Sequence, residues 1–473
     1  MSQLKKTKIV ATLGPATDDK ETLKAMILAG ANVFRINFSH ADYDEVRRRV
    51  QYIRELNEEL GIHTALLADL QGPKLRVGIM ENAHLNNGDT FTFTTEECVG
   101  DATKAFMTYQ AFPRDVKAGE HILVDDGKLL FEVIETDGEK NVVTKVIRGG
   151  ELKSKKGVNL PNTDISLPAL TEKDIPDALF AIELDVDWIA LSFVRKAQDI
   201  KDIHELIEAN SEFKIPVVAK IEKPEAVANI DELIPLLDGL MVARGDLGVE
   251  IPMQEVPLVQ KTLVRKAKAA SIPVIIATQM METMIENLVP TRAEVNDVAN
   301  SIMDGADAVM LSGETSVGVN PPNVIEHMSK IILGVENSDL IKVPHDLPSV
   351  ESDRYITQTV CQHAAVMATS VNATAVTTVT ASGYTAYQIS SWRPNAHILV
   401  YTNNKKILTT LSLVWGVKVF YYNNLVTTDQ TVKEINDIGK EKGFLTEGDL
   451  VVNLTSMPVQ EQGMVNTLRL SKI

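Results

Sequence analysis

Lysine, arginine, carboxylate and hydroxyl side chains recur in this chain at one kind of place, the last residues of short apolar runs. One run ends Arg35-Ile36-Asn37-Phe38-Ser39-His40, and another ends at Asp69. Later runs end in Lys220-Ile221-Glu222, Arg244-Gly245-Asp246, Thr278-Gln279 and Ser312-Gly313-Glu314. In a strand, alternate residues share a face, so Arg35, Asn37 and Ser39 belong together, as do Lys220 and Glu222. A single polar residue at a strand end is ordinarily just solvated. Six such ends with cations and carboxylates mixed point to a common site. Glu222 and Asp246 offer hard oxygen ligands with few neighbours, which suits a partly wrapped Mg²⁺ that also takes substrate oxygens. Arg35 and Lys220 supply positive charge for a phosphoryl or carboxylate group. The segment Gly245-Asp246-Leu247-Gly248 can turn backbone N–H groups toward an anion where a helix starts. The chemistry implied is that of a small, doubly anionic substrate.

Such ends converge only if the runs are parallel strands. From Lys8 to Leu13, Asn32 to Ser39 and Thr64 to Asp69, apolar runs alternate with helical stretches (Glu21 to Leu28, Tyr43 to Leu60), the rhythm of βα units. The rhythm stops after Gly72. Up to about Pro168 the runs are short, lack helices between them and are punctuated by Asn87-Gly88, Asp126-Gly127, Asp137-Gly138 and Gly149-Gly150, which reads as an inserted small β domain. Alternation resumes at Thr171, with strands expected over Trp188 to Val194, Pro216 to Ile221, Gly239 to Ala243, Pro273 to Ala277 and Ala308 to Leu311. Eight βα units fit a closed barrel interrupted after its third strand, whose carboxyl-end face would hold the site. An open doubly wound sheet is the alternative, because periodicity does not give strand order. A third α/β region follows. The expected divisions are 1–71 with 169–344 for the barrel, 72–168 for the insertion and 345–473 for the last domain.

Composition bounds the class. Of 473 residues, 44% are hydrophobic and 23% charged, which is ordinary for globular chains and is spread over two or three domains. Cys98 and Cys361 are the only cysteines, too few for a disulfide framework, so a reducing cytoplasm is expected. Met1 to Lys8 is polar and basic and lacks the apolar core of a signal peptide. No apolar run approaches membrane-spanning length, so no membrane partner is expected. A net charge of −17 argues against nucleic acid as a partner, while leaving room for local phosphate binding.

Five segments resemble the pyruvate kinase family: 32–40 (NVFRINFSH), 215–227 (IPVVAKIEKPEAV), 241–252 (MVARGDLGVEIP), 290–294 (PTRAE) and 307–315 (DAVMLSGET). The resemblance covers the barrel and insertion almost completely, and the last domain more loosely. It implies a (β/α)8 TIM barrel, a small β-barrel lid domain inserted in it and a C-terminal α/β effector domain, assembled as a homotetramer. It implies phosphoryl transfer from phosphoenolpyruvate to ADP, giving pyruvate and ATP, with Mg²⁺, or Mn²⁺ in its place, on Glu222 and Asp246. Lys220 then stabilises the phosphoryl group in flight and Arg35 holds the phosphate. Gly245, Asp246 and Thr278 hold the carboxylate, and Thr278 lies near the protonation step. Asn37, His40, Arg76 and Lys156 fall on the nucleotide side.

Two departures from the family pattern bear on function. Many relatives carry Asp-Thr-Lys-Gly-Pro-Glu-Ile-Arg where this chain has DLQGPKLR (69–76), so Lys74 replaces an acidic residue. Members that use K⁺ hold it among groups matching Asn37, Ser39, Asp69 and the Leu70 carbonyl. An ammonium at Lys74 would supply that charge and repel K⁺, so K⁺-independent activity is expected. The second departure concerns TASGYT (380–385), which matches a loop that grips a sugar-phosphate effector through Thr380, Ser382, Gly383 and Thr385. Tyr384 replaces a small residue there, and the companion segment Pro458 to Val465 carries Glu461 and no arginine. A monophosphorylated sugar or AMP, or no effector at all, fits better than fructose-1,6-bisphosphate. Rival readings are a Schiff-base aldolase using Lys220, a metal-dependent pyruvate-enolate lyase, and a barrel kept for binding without catalysis. A lysine beside Glu222 is poorly placed for the lowered pKa that Schiff-base chemistry needs.

Overall fold

The computed structural model describes residues 5–338, 352–424, 427–457 and 464–473. The expected division at 344–345 and most of the Pro458 to Val465 segment, Glu461 included, lie outside those residues. Eight parallel strands close into a barrel: β1 (Lys8–Thr12), β2 (Val33–Asn37), β3 (Ala65–Asp69), β4 (Trp188–Leu191), β5 (Val217–Ile221), β6 (Gly239–Ala243), β7 (Val274–Ala277) and β8 (Ala308–Leu311). Pairing of Lys8 with Ala308 completes the ring and excludes the open-sheet alternative. One set of alternate residues, including Val10, Val33, Leu67, Trp188, Val218, Met241, Ile275 and Met310, fills the interior. The other set packs outward against the helices. Because Val33 and Val218 point inward, Arg35 and Lys220 two residues on point inward as well, at the carboxyl end.

Local features set where β2 and β4 end and where β7 begins. After Asn37 the chain turns, and the Ser39 amide donates to Asn37 Oδ1 at 3.2 Å. Ser39 therefore leaves the strand face on which alternation had put it with Arg35 and Asn37. β4 ends three residues short of the expected Val194 because Phe193 takes a φ of 54°. β7 begins at Val274, after a proline that has no N–H to give.

The insertion runs from β3 to β4, which are neighbours in the barrel. Its main sheet has six strands, in the spatial order Val158–Asn159, His121–Val124, Leu129–Thr136, Asn141–Arg148, Thr90–Thr94, Lys104–Phe106. Arg76 bridges to Gly157 at one edge and Val77 to Met107 at the other, so two residues close this sheet into a small barrel around Phe91, Phe93 and Phe131. The last region is a five-stranded sheet: Val417–Tyr421, His397–Thr402, Ala375–Val379 and Leu450–Thr455 are parallel, and Thr467–Lys472 is antiparallel at the edge. It covers the amino end of the barrel. Leu413 is fully buried against the barrel's interior residues, and the Trp188 indole N–H donates to the Thr410 carbonyl at 3.0 Å. No helix among the described residues is long and apolar enough to cross a membrane.

Candidate active site

At the carboxyl end of the barrel, β2, β3 and β5 bring four charged side chains into one chain of contacts. Arg35 Nε donates to Asp69 Oδ2 at 2.6 Å. Lys220 Nζ lies 3.2 Å from Asp69 Oδ1 and 2.9 Å from Glu222 Oε1. Both carboxylates are 1% exposed. Burial alone would protonate Asp69, but Lys220 and Arg35 outweigh it and hold its pKa below the ordinary value. Burial likewise opposes the Lys220 charge, and Asp69 and Glu222 more than reverse the effect, so its pKa ends raised.

Glu222 fares differently, because Lys220 is shared with Asp69. Burial, with the nearby Asp246 charge added, pushes Glu222 up to about 7 despite Lys220. Its Oε2 accepts the Phe193 N–H at 2.7 Å, while Oε1 has no aligned hydrogen-bond donor. Asp246 is exposed beside it at the start of the short helix Arg244–Glu250. With Glu222 ionised, Asp69, Glu222 and Asp246 against Arg35 and Lys220 leave one negative charge in excess. Two carboxylates, one with an oxygen that meets only the Lys220 charge and no aligned donor, fit a divalent cation that completes its shell with substrate and water. Among the described residues no three His, Cys, Asp or Glu side chains form a closed metal cage.

Facing this cluster, Thr278 and Gln279 both adopt positive φ, 71° and 54°. For a β-branched residue that conformation is strained, and strain of this kind gathers at functional positions. Thr278 is held there from three directions. The Gly245 amide donates to its Oγ1 at 2.7 Å, its hydroxyl donates to the Ala277 carbonyl at 2.6 Å, and Arg244 donates to its carbonyl at 2.7 Å. Arg244 turns away from the mouth, pairing with Asp297 at 2.6 and 2.8 Å. It therefore buttresses the site and does not line it.

Asn37 and Asp69 are register partners, and the Leu70 carbonyl accepts Ser192 Oγ at 2.7 Å. The groups matching a monovalent-cation pocket thus lie together, with Asp69 already held between two cations. Lys74 stands at the rim. Its pKa is lowered by the surrounding protein and by Arg76, against Asp246 and Asp126. Among the described residues it makes no hydrogen bond or ion pair with Asn37, Ser39, Asp69 or Leu70. His40 is exposed, its pKa lowered by partial burial, Lys74 and Arg76. Arg76 and Lys156 belong to the inserted domain's closing seam. Arg76 Nη1 donates to the Lys155 carbonyl at 3.0 Å, and Lys156 pairs with Asp125 at 2.8 Å.

Sequence reasoning missed Ser192, which takes a hydrogen bond from Lys220 Nζ at 2.7 Å and passes one to the Leu70 carbonyl. The signal was there: β4 is followed by a hydroxyl, as its neighbours are by charges. It also missed the Phe193 amide and the buried Lys223–Glu250 pair at 2.8 Å. That pair touches the insertion at Asn159 and the Leu160 carbonyl. In the last domain, Thr380 Oγ1 accepts the Gly383 N–H at 3.0 Å, and Gly383, with φ 85°, opens the helix Tyr384–Ser391. Ser382 Oγ reaches the Tyr384 amide only at 3.5 Å, Thr385 is buried, and Arg354 stacks 4.3 Å over the Tyr384 ring.

Fold and site together define a (β/α)8-barrel enzyme built for a small, strongly anionic substrate. Family models described as the barrel domain and the alpha/beta domain of pyruvate kinase match residues 4–325 and 358–471. The chain belongs to the pyruvate kinase family. It is 43% identical to a pyruvate kinase of Geobacillus stearothermophilus, over 99% of this chain and 80% of that one. It is 40% identical to the pyruvate kinase of Corynebacterium glutamicum, over 98% and 97%. The crystal structure of a pyruvate kinase from Cryptosporidium parvum superposes with a TM-score of 0.90 at 31% identity, covering 99% of this chain and 96% of that one. The chain is thus a phosphotransferase, and nothing supports the aldolase, lyase or non-catalytic readings. The family generally requires Mg²⁺, and its substrates are phosphoenolpyruvate and ADP.

Proposed function

We propose that this chain transfers the phosphoryl group of phosphoenolpyruvate to ADP at the Arg35–Asp69–Lys220–Glu222 cluster. The observation that carries the reading is Glu222, buried beside Lys220 with one oxygen lacking an aligned donor. Glu222 and Asp246 would hold Mg²⁺, or Mn²⁺, which supplies charge that draws substrate oxygens together and offsets their repulsion. Arg35 grips the phosphate. Lys220, kept protonated by Asp69 and Glu222, faces the phosphoryl group as it changes owners. The Gly245 and Asp246 amides and the Thr278 hydroxyl receive the carboxylate, which takes over the N–H that Gly245 now gives to Thr278. Transfer leaves an enolate, which takes a proton from solvent on carbon, relayed through a water beside Thr278. Asn37, His40, Arg76 and Lys156 lie on the nucleotide side, and closure of the inserted domain would exclude water.

The same reading places barrel residues at 1–71 and 169–344, the lid at 72–168 and the effector and oligomerisation domain at 345–473, in a cytoplasmic homotetramer. Lys74 supplies the charge that relatives take from K⁺; its proximity to Asp246 and Lys220 supports this. Thr380, Ser382, Gly383 and Thr385 form the loop matching the effector site, for a monophosphorylated sugar or AMP, or for no effector at all. A coupled assay for pyruvate tests these points together. Turnover should require Mg²⁺ and both substrates, and should fall below detection in Lys220→Met. The rate should stay within about tenfold, or 1.4 kcal/mol, when K⁺, Na⁺ and NH₄⁺ are replaced by tetramethylammonium. Fructose-1,6-bisphosphate should leave half-saturation by phosphoenolpyruvate unchanged. No turnover by the wild-type enzyme ends the reading, and a larger loss without K⁺ ends the Lys74 part alone.

A further inference from the structure

Lys223 and Glu250 form an ion pair at 2.8 Å, with side chains 3% and 1% exposed. Each belongs to a segment that carries one of the two carboxylates read above as metal holders. Lys223 directly follows Glu222, and its carbonyl accepts the Ala226 N–H at 3.1 Å where the helix Pro224–Ala228 begins. Glu250 ends the helix Arg244–Glu250, one turn after Asp246 and on the same helix face. The inserted domain supplies a third segment. Glu250 Oε1 accepts Asn159 Nδ2 at 2.9 Å, and Lys223 Nζ donates to the Leu160 carbonyl at 3.3 Å.

Burying two charges strips both of water, so such a pair is a weak source of stability beside apolar side chains of the same size. What it supplies is geometry. Glu250 spends one oxygen on Lys223 and the other on Asn159, so three segments far apart in sequence are pinned at one point. The two linkers to the inserted domain are held separately, the Gly72 N–H by Asp174 Oδ1 at 3.1 Å and the Ile165 carbonyl by Arg195 at 2.5 Å. The pinned strand also adjoins the nucleotide side. Arg76 bridges to Gly157, and the Val77 N–H donates to the Lys156 carbonyl at 3.0 Å. A shift at Asn159 is therefore a shift of Arg76 and Lys156 relative to Glu222 and Asp246.

We propose that Lys223 and Glu250 are a positioning pair for the divalent metal: they fix the Glu222 and Asp246 segments relative to each other, and Asn159 steadies them from the inserted domain. This rests on Glu222 and Asp246 being the metal holders. The test is Mn²⁺ binding to the full chain without substrates, with free Mn²⁺ counted by electron paramagnetic resonance and folding checked by thermal melting. Wild type should bind Mn²⁺, and Glu222→Gln should lose it. Lys223→Met should bind at least about tenfold more weakly, as for other groups that stand behind metal ligands. The direction separates geometry from charge, because losing a nearby cation by charge alone would tighten the hold on Mn²⁺. A pair that only held the fold together would lower the melting temperature and leave the folded chain's Mn²⁺ affinity unchanged. Asn159→Ala alters no charge and leaves the ion pair whole, so it decides the matter even if Lys223→Met fails to fold. Its Mn²⁺ affinity should fall at least about threefold. No binding by the wild type, or binding that survives Glu222→Gln, removes the metal reading and this proposal with it. Binding lost in Glu222→Gln but unchanged in Asn159→Ala, or unchanged or tighter in folded Lys223→Met, overturns the positioning role alone.

Discussion

Lys220 is positioned from three sides: by Asp69, by Glu222, and by the hydroxyl of Ser192 at 2.7 Å. The two carboxylates fix its charge, and the hydroxyl fixes its direction, because Ser192 is itself tied to the Leu70 carbonyl. Removing a hydrogen bond to a charged group costs about 1.5–3 kcal/mol. Here the ammonium would keep its charge and lose its aim. Ser192→Ala is therefore expected to lower kcat by about tenfold or more, since 1.4 kcal/mol is a factor of ten, with the KM for phosphoenolpyruvate changing much less. Steady-state kinetics on the purified variant check this. A kcat within about twofold of wild type would show that the carboxylates alone orient Lys220.

The loops that follow the strands are built around tight backbone approaches. Gly72, just after β3, has a φ of +70°, and a Cβ there would meet Phe193 Cδ2 at 2.8 Å and Ser192 Cβ at 2.9 Å. Those two residues carry the amide that holds Glu222 and the hydroxyl that aims Lys220. Gly72→Ala should thus cost more than about 1 kcal/mol from backbone strain alone, and lower kcat by displacing the β4 loop. Thermal unfolding alongside kinetics tests both effects, and an unchanged melting temperature with unchanged kcat would refute them. The strand rhythm, the inserted β domain and the six polar strand ends were legible because each depends on periods of two or on turn residues close in sequence. Arg35, Asp69, Lys220 and Glu222 are brought together where that reading put them. What was not legible depends on contacts distant in sequence. Closure of the ring rests on Lys8 meeting Ala308, the end of β4 on a positive φ at Phe193, and the turn of Arg244 away from the mouth on Asp297 some fifty residues away. The strand length expected to reach Ser39 failed for a local reason, the side-chain cap that Asn37 gives its own turn.

Across the whole molecule, the contact between the barrel's amino end and the last domain is rich in buried cations. Lys8, 2% exposed, donates to the Val417 carbonyl at 2.9 Å, and Lys6 donates to the Pro394 and Asn395 carbonyls at 3.1 and 2.8 Å. Glu336, whose charge acts on Lys5, Lys6 and Lys8, accepts the backbone N–H groups of Lys6 and Thr7 and the Thr7 hydroxyl. Burial, then Lys418 and Lys5, against Glu336 and Asp307, set the Lys8 pKa well below its ordinary value. Burial and Lys418 bring Lys5 down to about 7, and burial brings Lys6 to about 8. When folding lowers a lysine's pKa, the unfolded chain binds more protons between the folded value and the ordinary 10.5, so stability rises with pH across that interval. The penalty is full below the folded pKa and fades as pH climbs through it. Growing repulsion from the net charge of −17 acts the other way, but it acts almost equally on a single-residue variant. The melting temperature of the wild type, relative to that of Lys8→Met, should therefore increase from pH 7 to pH 9. Methionine keeps the apolar stem and removes the titrating group. Parallel melting curves at both pH values, with no change in the difference between the two proteins, would mean that Lys8 keeps its proton in the folded state and that this contact is not tuned by lysine deprotonation.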